Sequence, residues 1–376
     1  MNSVAIIGAG PAGLQTAIKL REAGFDPIVY EEHSHIGLPE NCSGLISKSG
    51  IDELGIDVSD SIQNKIYGAR IFAPNGTMMQ VDRYNEVAYV VNRSKFDQSL
   101  AKKAHKLNIH IGFETKLLDV NRNTIFVQAN GRGELRKAEY VVGADGVNSQ
   151  TRHLIGIKPN NNNYVHTMQT VATGNFNEKF VEVHLGNFAK GFFGWVVPIS
   201  PTQAKIGMGC YLGEDVLKGY TEFMKKFEHT KTEAPKSALI PYGPPLDKIV
   251  KDNIALVGDA AFQTKATTGG GIVFGLKAAN ILAENIKNAY VNKTPLNNYE
   301  KDLTEINREL KIHWKIRKYA NSLNDEQINK LFSKLKDKGI EEFLEREGNM
   351  DEPSKFIGKL ITKPSYWFLA KNIIEF

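Results

Sequence analysis

Cysteine is scarce in this chain: Cys42 and Cys210 are the two in 376 residues. Two thiols cannot build a disulfide framework, which fits a reducing compartment such as the cytoplasm. Long apolar runs are missing as well. No stretch reaches the roughly 18 apolar residues that a spanning helix needs, so the sequence predicts no membrane span. The apolar run at residues 4–7 is only a strand long and leads straight into glycines, unlike a signal peptide. A strong charge of one sign is lacking too. The 47 basic and 42 acidic side chains leave +5, which permits an encounter with anionic lipid or an acidic protein and gives no argument for nucleic acid. No metal-ligand spacing, repeat or low-complexity linker is present, and the asparagines at 160–163 read as a surface loop. With 41% hydrophobic and 24% charged residues, the chain is ordinary for a globular protein and long enough for two or three lobes.

What is present is concentrated near the N-terminus. Residues 4–7 read as a buried parallel strand, residues 14–23 as the helix after it, and Gly8-Ala9-Gly10-Pro11-Ala12-Gly13 joins them. Gly8 allows the tight turn, Gly10 lets a pyrophosphate approach the backbone, and Gly13 lets helix and strand pack closely. The helix N-terminus adds unpaired N–H groups and partial positive charge for a diphosphate. A second strand, 27–30, ends at Glu31, whose carboxylate can accept from both ribose hydroxyls of an adenosine and disfavours a 2′-phosphate. The order of elements predicts dinucleotide binding.

The dinucleotide-binding part reads as discontinuous: residues 1–60, 92–155 and 250–298. It includes a helix over 96–107, strands at 109–111, 140–146 and 254–259, and a helix over 271–286. Between these pieces lie strand-like segments, 61–91 and 156–249, with runs at 181–185, 192–197 and 205–211 between Gly, Pro and Ser. The two insertions are expected to build one antiparallel sheet over the cofactor's reactive ring. Residues 299–376 are helical and charged, ending in an aromatic, basic tail.

Three distant segments repeat the cofactor argument. Asn92-Arg93-x-x-Phe96-Asp97 places an Arg at a helix entry, where it can hold a phosphate or simply cap the helix region. Gly143-Ala144-Asp145-Gly146-Val147-Asn148-Ser149-x-x-Arg152 ends a buried strand. Gly258-Asp259 brings a carboxylate to a strand's carboxyl end, and Thr267-Thr268-Gly269-Gly270-Gly271-Ile272 opens a helix whose N–H groups can face a carbonyl or phosphate.

These segments, in this order, resemble the FAD-binding fold of p-hydroxybenzoate hydroxylase-like flavoproteins: a Rossmann-like α/β cofactor domain, an antiparallel substrate sheet and a helical C-terminal region. Within that group Pro39-x-x-Cys42-x-Gly44 and Phe193-Gly194-Trp195-Val196-Val197-Pro198, then eight residues and Gly207-Met208-Gly209, resemble the geranylgeranyl reductase family, most closely its archaeal members that saturate membrane-lipid chains. The likeness covers residues 4–285 well and the rest only in helical character. Phe193 replaces a usual Tyr and so offers no phenolic proton; Val197 replaces a usual Phe, and Ala266 a usual Pro before the Gly-rich turn.

The resemblance implies FAD contacts at Gly8, Gly10, Ala12, Gly13, Glu31, Cys42, Ser43, Leu45, Arg93, a backbone position near Leu117, Asp259, Gly271 and Ile272. It implies a geranylgeranylated lipid substrate, and a hydride to one alkene carbon with a proton to the other. Cys42 and Trp195 are the candidate catalytic residues. Phe192, Phe193, Trp195 and Val197 are candidates for lining an apolar tunnel. Strand alternation favours Phe193, Trp195 and Val197 as one face, although such aromatics often only fill a core, and cysteines are often small buried hydrophobes. No second Gly-x-Gly-x-x-Gly unit is visible, so electrons come either from NADPH at a surface groove or from an acidic carrier such as ferredoxin, which +5 slightly favours. An aromatic hydroxylase or halogenase shares the fold. A non-enzymatic prenyl-lipid carrier resembling Rab escort proteins shares it too, without a reason to keep flavin contacts. The tail from 355 to 376 mixes Phe356, Ile357, Leu360, Ile361, Tyr366, Trp367, Phe368 and Leu369 with lysines. It suits either a peripheral membrane face or a helix docked on the protein's own core.

Overall fold

In the computed structural model, which describes residues 3–296 and 298–375, a six-stranded sheet carries the cofactor fingerprint. Its order is Val250–Lys251, Ile254–Leu256, Tyr140–Gly143, Ser3–Ile7, Asp26–Tyr30 and His110–Gly112, parallel except for the first pair. Ser3–Ile7 lies between two neighbours and Val4 to Ile7 are all buried, which is why this strand reads as a continuous apolar run without alternation. Helix α1 (Pro11–Glu22) starts earlier than its apolar spacing predicts, because Gly10 is the N-cap and Pro11 suits the first helical position. Helix α2 (Arg93–Lys106) is capped by Asn92, whose side-chain oxygen accepts the Lys95 N–H at 2.8 Å. Helix α3 (Ile272–Asn292) packs along α1 and runs past the predicted end at 286. The predicted strand 254–259 stops at Leu256, after which Gly258–Ala261 forms a short 3-10 turn.

The second sheet has eight strands, ordered Lys231–Thr232, Tyr164–Thr173, Gln203–Tyr211, Gly194–Ser200, Phe180–His184, Gly68–Phe72 and Met78–Asp82, with Lys236–Pro241 also along Tyr164–Thr173. The two insertions therefore do meet in one sheet. It is antiparallel save where they are stitched together, since Phe180–His184 runs parallel to Gly68–Phe72. Part of the first insertion goes elsewhere: Ile62–Ile66 and Ala88–Val91 pair with Leu45–Ser47 in a separate three-stranded sheet. A further meander, Thr115–Asn121, Thr124–Ala129 and Arg132–Lys137, escapes the sequence reading because its outward positions are largely polar and charged.

Side-chain alternation gives the large sheet two unlike faces. Val196, Ala204, Ile206, Met208 and Cys210 pack with Val216, Tyr220 and Phe223 of the helix Val216–Met224. On the same strand, Lys205, Gly207 and Gly209 occupy the opposite face.

Helix α4 (Thr304–Ser322) opens the C-terminal region. The tail beyond it docks on the protein itself: Leu360, Tyr366 and Ala370 share a core with Phe332, Ile340 and Phe343, with Met79 of the large sheet and with Ala73 just after its strand Gly68–Phe72. Ile361 and Trp367 stay exposed. Phe376 lies outside the described residues. Among those described, no helix is long and apolar enough to cross a membrane.

Candidate active site

The fingerprint turn is built from backbone contacts. The Gly8 N–H donates to Tyr30 O at 2.8 Å, and a Cβ on Gly13 would stand 2.1 Å from Gly8 O, so nothing larger than glycine lets α1 sit this close. At Gly10 the opposite holds: an added Cβ would meet no atom within 4 Å, which leaves its backbone open to a ligand. Glu31 accepts the Ala9 N–H at 2.8 Å on one oxygen and the His33 N–H at 3.0 Å on the other. His33 Nδ1 also meets that second oxygen at 2.7 Å, so it is the oxygen facing Ala9 that keeps acceptor capacity for a hydroxyl. Ala12 is half-buried beside Gly258 and Gly275, where α1 and α3 meet.

The Pro39–Gly44 loop is drawn onto the sheet face by a residue the sequence reading missed. Lys205, buried in the middle of its strand, donates through Nζ to Glu40 at 2.6 Å and to the Cys42 carbonyl at 3.0 Å. A lysine on the same face as Gly207 and Gly209, in a strand otherwise apolar, was the available signal. The Cys42 thiol accepts the Gly44 N–H at 3.4 Å and faces the Arg93 guanidinium. Arg93 also forms a bidentate pair with Asp97 at 3.1 Å, one turn along α2. Burial works against that guanidinium's charge, yet Cys42 and Asp97 hold its pKa above the ordinary value. Burial raises the Asp97 pKa despite Arg93. Ser43 is half-buried in the same loop, and Leu45 leads into its strand.

Asp259 follows the Ile254–Leu256 strand. Its pKa is raised by burial, opposed by a hydrogen bond from Thr264 and by the charges of Arg93 and Arg152. Among the described residues one hydrogen bond is recorded to its carboxyl group, from Thr264 Oγ1 at 3.2 Å. Gly271 presses against it, since a Cβ there would lie 2.8 Å from Asp259 Oδ1. Ile272 begins α3. Asp145 has a different fate: it accepts from Ser149 at 2.5 Å and from the Thr151 N–H at 2.8 Å, so it organises the entry to the helix Gln150–Leu154. Leu117 is buried in the Thr115–Asn121 strand, opposite Val127.

The aromatic wall differs from the single strand face expected. Phe192 and Phe193 precede the strand Gly194–Ser200, so alternation does not separate them. Their rings stack with centroids 4.0 Å apart, and both meet Trp195 edge-on, at 6.5 and 6.1 Å. Gly207 explains the spacing of the Gly-x-Gly motif, because a Cβ there would lie 2.6 Å from Trp195 Cζ2. Across this flat site Trp195 Nε1 donates to Gln169 at 2.9 Å. Phe192 reaches the Gly-rich turn: its Cζ would be 3.1 Å from a Cβ on Gly269. Trp195 also packs with Leu45 and Val197 in a cluster around Val90 and Val181. It therefore stands between the Cys42 loop and the phenylalanine pair.

An anion-ready glycine turn, a strand-end carboxylate with spare acceptor capacity, and a buried carboxyl group beside a glycine fit a diphosphate- and polyol-bearing cofactor. With this fold they define an FAD-dependent oxidoreductase, and residues 1–234 match the FAD binding domain family. The chain is 30% identical over 307 residues to the digeranylgeranylglycerophospholipid reductase of Methanosarcina acetivorans, covering 75% of this chain and 74% of that one. It therefore belongs to the digeranylgeranylglycerophospholipid reductase family within the FAD-binding proteins. A geranylgeranyl bacteriochlorophyll reductase-like protein of Thermoplasma acidophilum has the same fold, with a TM-score of 0.83 at 23% identity over 88% of this chain and 90% of that one. The p-nitrophenol 4-monooxygenase of Pseudomonas putida shares the fold more distantly, with a TM-score of 0.68 at 16% identity over 99% of each chain.

Proposed function

We propose that this chain saturates C=C bonds of geranylgeranyl chains, as in the synthesis of archaeal ether lipids. The observation that carries this reading is the junction at Trp195, where an apolar aromatic wall meets the loop that carries Cys42. In this reading residues 1–60, 92–155 and 250–298 hold the cofactor, 61–91 and 156–249 the substrate, and 299–376 form a helical buttress.

Gly8, Gly10, Ala12 and Gly13 take the diphosphate of FAD and Glu31 the adenosine ribose. Arg93, Asp259, Gly271, Ile272, the Cys42–Leu45 loop and the Leu117 backbone surround the rest. FAD bound here, once reduced by two electrons from NADPH or an acidic carrier such as ferredoxin, would supply the hydride. An isolated alkene has no carbonyl to polarise, so the protein contributes alignment, exclusion of water and an acid. Phe192, Phe193, Trp195, Val197 and Leu45 supply the apolar wall that aligns a chain and keeps water out. Cys42 Sγ is the candidate proton-relay atom, with Arg93 facing it and Lys205 fixing its carbonyl. Phe193 has no hydroxyl and takes no part in proton transfer. Trp195 orients substrate, its indole fixed by Gln169. Ile361 and Trp367 are the exposed tail residues that would touch a lipid surface. Liposome co-sedimentation should then fall on Trp367→Ala, and unchanged pelleting would refute that contact.

The main test is a single turnover without oxygen: the flavoprotein is reduced with dithionite and mixed with geranylgeranylated lipid. Reoxidation with a gain of two hydrogens per double bond is expected. Reoxidation by oxygen alone would point to a hydroxylase, and a protein that binds no flavin to a carrier. Cys42→Ala should keep FAD and slow this turnover; equal rates would remove Cys42 from the chemistry.

A further inference from the structure

Arg317 lies on α4, far in sequence from every motif above, and its side chain is buried. Among the described residues no carboxylate pairs with it. Its N–H groups donate instead to three main-chain carbonyls: Nε to Ala266 at 2.9 Å, Nη2 to Thr267 at 2.6 Å and Nη1 to Phe192 at 3.5 Å. The guanidinium plane also sits 5.1 Å from the Phe192 ring centre and 5.3 Å from that of Phe193. One turn earlier on the same helix, His313 Nδ1 meets Thr267 Oγ1 at 2.6 Å. Its Nε2 lies 3.4 Å from the Asp351 carbonyl, so Nε2 carries the proton and Nδ1 accepts from Thr267.

A buried cation without a counter-ion is expensive unless its donors are filled and its face is covered. Here both needs are met by the Gly-rich turn and the phenylalanine pair. A planar fork can stack on a ring while donating in its own plane, whereas an ammonium group cannot do both. The turn it grips is also closed within itself: the Thr268 and Gly269 N–H groups donate to Lys265 O at 3.2 and 2.8 Å, the Lys265 N–H to Gly270 O at 3.1 Å, and the Gly270 N–H to Thr268 Oγ1 at 3.3 Å, while Lys265 Nζ pairs with Asp351 behind it.

We propose that Arg317, assisted by His313, is the positioning residue that fixes the 266–271 turn and the Phe192–Phe193 pair relative to each other. One side chain of the C-terminal region thus sets both the cofactor turn and the substrate wall. The proposal rests on the reading above that this turn meets FAD and that this wall meets the lipid.

The test is Arg317→Lys in the full chain, which keeps the charge and loses the fork and the stack. Hydrogen exchange at the Thr268 and Gly269 amides is expected to quicken about tenfold, the effect of losing one well-made hydrogen bond, while the Ser3–Ile7 strand stays protected. FAD titrated into apoprotein should bind about tenfold more weakly, and KM for lipid should rise more than kcat falls. Unchanged exchange and unchanged FAD affinity would overturn the proposal. So would a variant that cannot fold, because that marks a general core anchor. Thr267→Val leaves Arg317 in place and should quicken the same amides to a smaller degree; no change there overturns the part given to His313. A wild-type chain that binds no FAD would instead overturn the functional reading, since exchange at the turn is measured without flavin.

Discussion

Two glycine-rich turns open helices in this molecule, one before α1 and one before α3, and they are held by different means. The first is held mainly by residues near it in sequence, with Ala144 packed against Gly8 and Gly13. Its strand, its helix and Glu31 lie within about thirty residues, and its fit is set by Gly8 O against Gly13 and by Ala9 N–H to Glu31. The second, Thr267 to Gly271, is gripped from outside by Arg317 and His313 of α4. A buried ion pair behind it joins Lys265 to Asp351 at 2.5 Å. A turn whose geometry is written locally shows in the sequence as a motif. A turn held by distant side chains shows only its glycines.

The largest expected effect tests the first turn. Gly13→Val places side-chain atoms on a backbone oxygen that cannot give way, so it should cost about 3 kcal/mol, the upper end of ordinary overpacking, and abolish FAD binding. Gly10→Ala meets open space. It should change stability by no more than about 1 kcal/mol, as an N-cap change, and still weaken FAD binding. Urea denaturation beside FAD titration separates the two. Equal stability losses would mean that the turn is not packed as described.

The second turn breaks from a distance. Lys265→Met leaves Asp351 buried without its cation, and removing one partner of such a pair costs about 3–5 kcal/mol. The urea midpoint should fall accordingly, although residue 265 lies outside the glycine run. A loss below about 1 kcal/mol, the range of surface pairs, would show that the pair is solvated and does not brace the turn.

His313 gives the second turn a pH dependence. Burial, and then the charge of Lys265, pull its pKa from 6.5 down to about 3. Between those values the unfolded chain holds the proton and the folded chain does not. Its contribution is therefore complete above pH 6.5 and lost as pH falls, at about 1.4 kcal/mol per pH unit. Carboxylates add slopes of their own, so the measurement is the difference between wild type and His313→Gln in urea midpoints at pH 7, 6 and 5. Parallel curves would mean that His313 titrates normally.

The same contrast decides what could be read in advance. Strands at residues 4–7 and 27–30, the helix after the glycines, and the position of Arg93 at a helix entry follow from short-range patterns, and the molecule has them. The two insertions were recognisable as one sheet because their apolar runs are strand-length. Alternation favoured Phe193, Trp195 and Val197 as one face, but it does not govern Phe192 and Phe193, which precede the strand that begins at Gly194. Lys205, Gln169, His313 and Arg317 were not singled out, since each matters through partners 26 to 165 positions away: Gln169 to Trp195 and Lys205 to Glu40 mark the limits. The tail's apolar residues were legible as something to be buried, but only the fold says that Ala73 and Met79 help to bury them.

The smallest effect concerns the two thiols, which repeat the comparison in miniature. Cys42 belongs to a local motif in a half-exposed loop, while Cys210 lies on the back of the large sheet among Val216, Tyr220 and Phe223. Burial first, and then Glu214 and Asp215, push the Cys210 thiol up to about 11. The thiolate is the reactive form, so at pH 8 Cys210 is inert for two reasons, access and charge. Iodoacetamide should label the native protein once, at Cys42, and twice after unfolding, as read by intact mass. Bound FAD should slow the single native event if the Cys42 loop borders the cofactor, whereas labelling at Cys210 in the native state would show that the back face of the sheet opens.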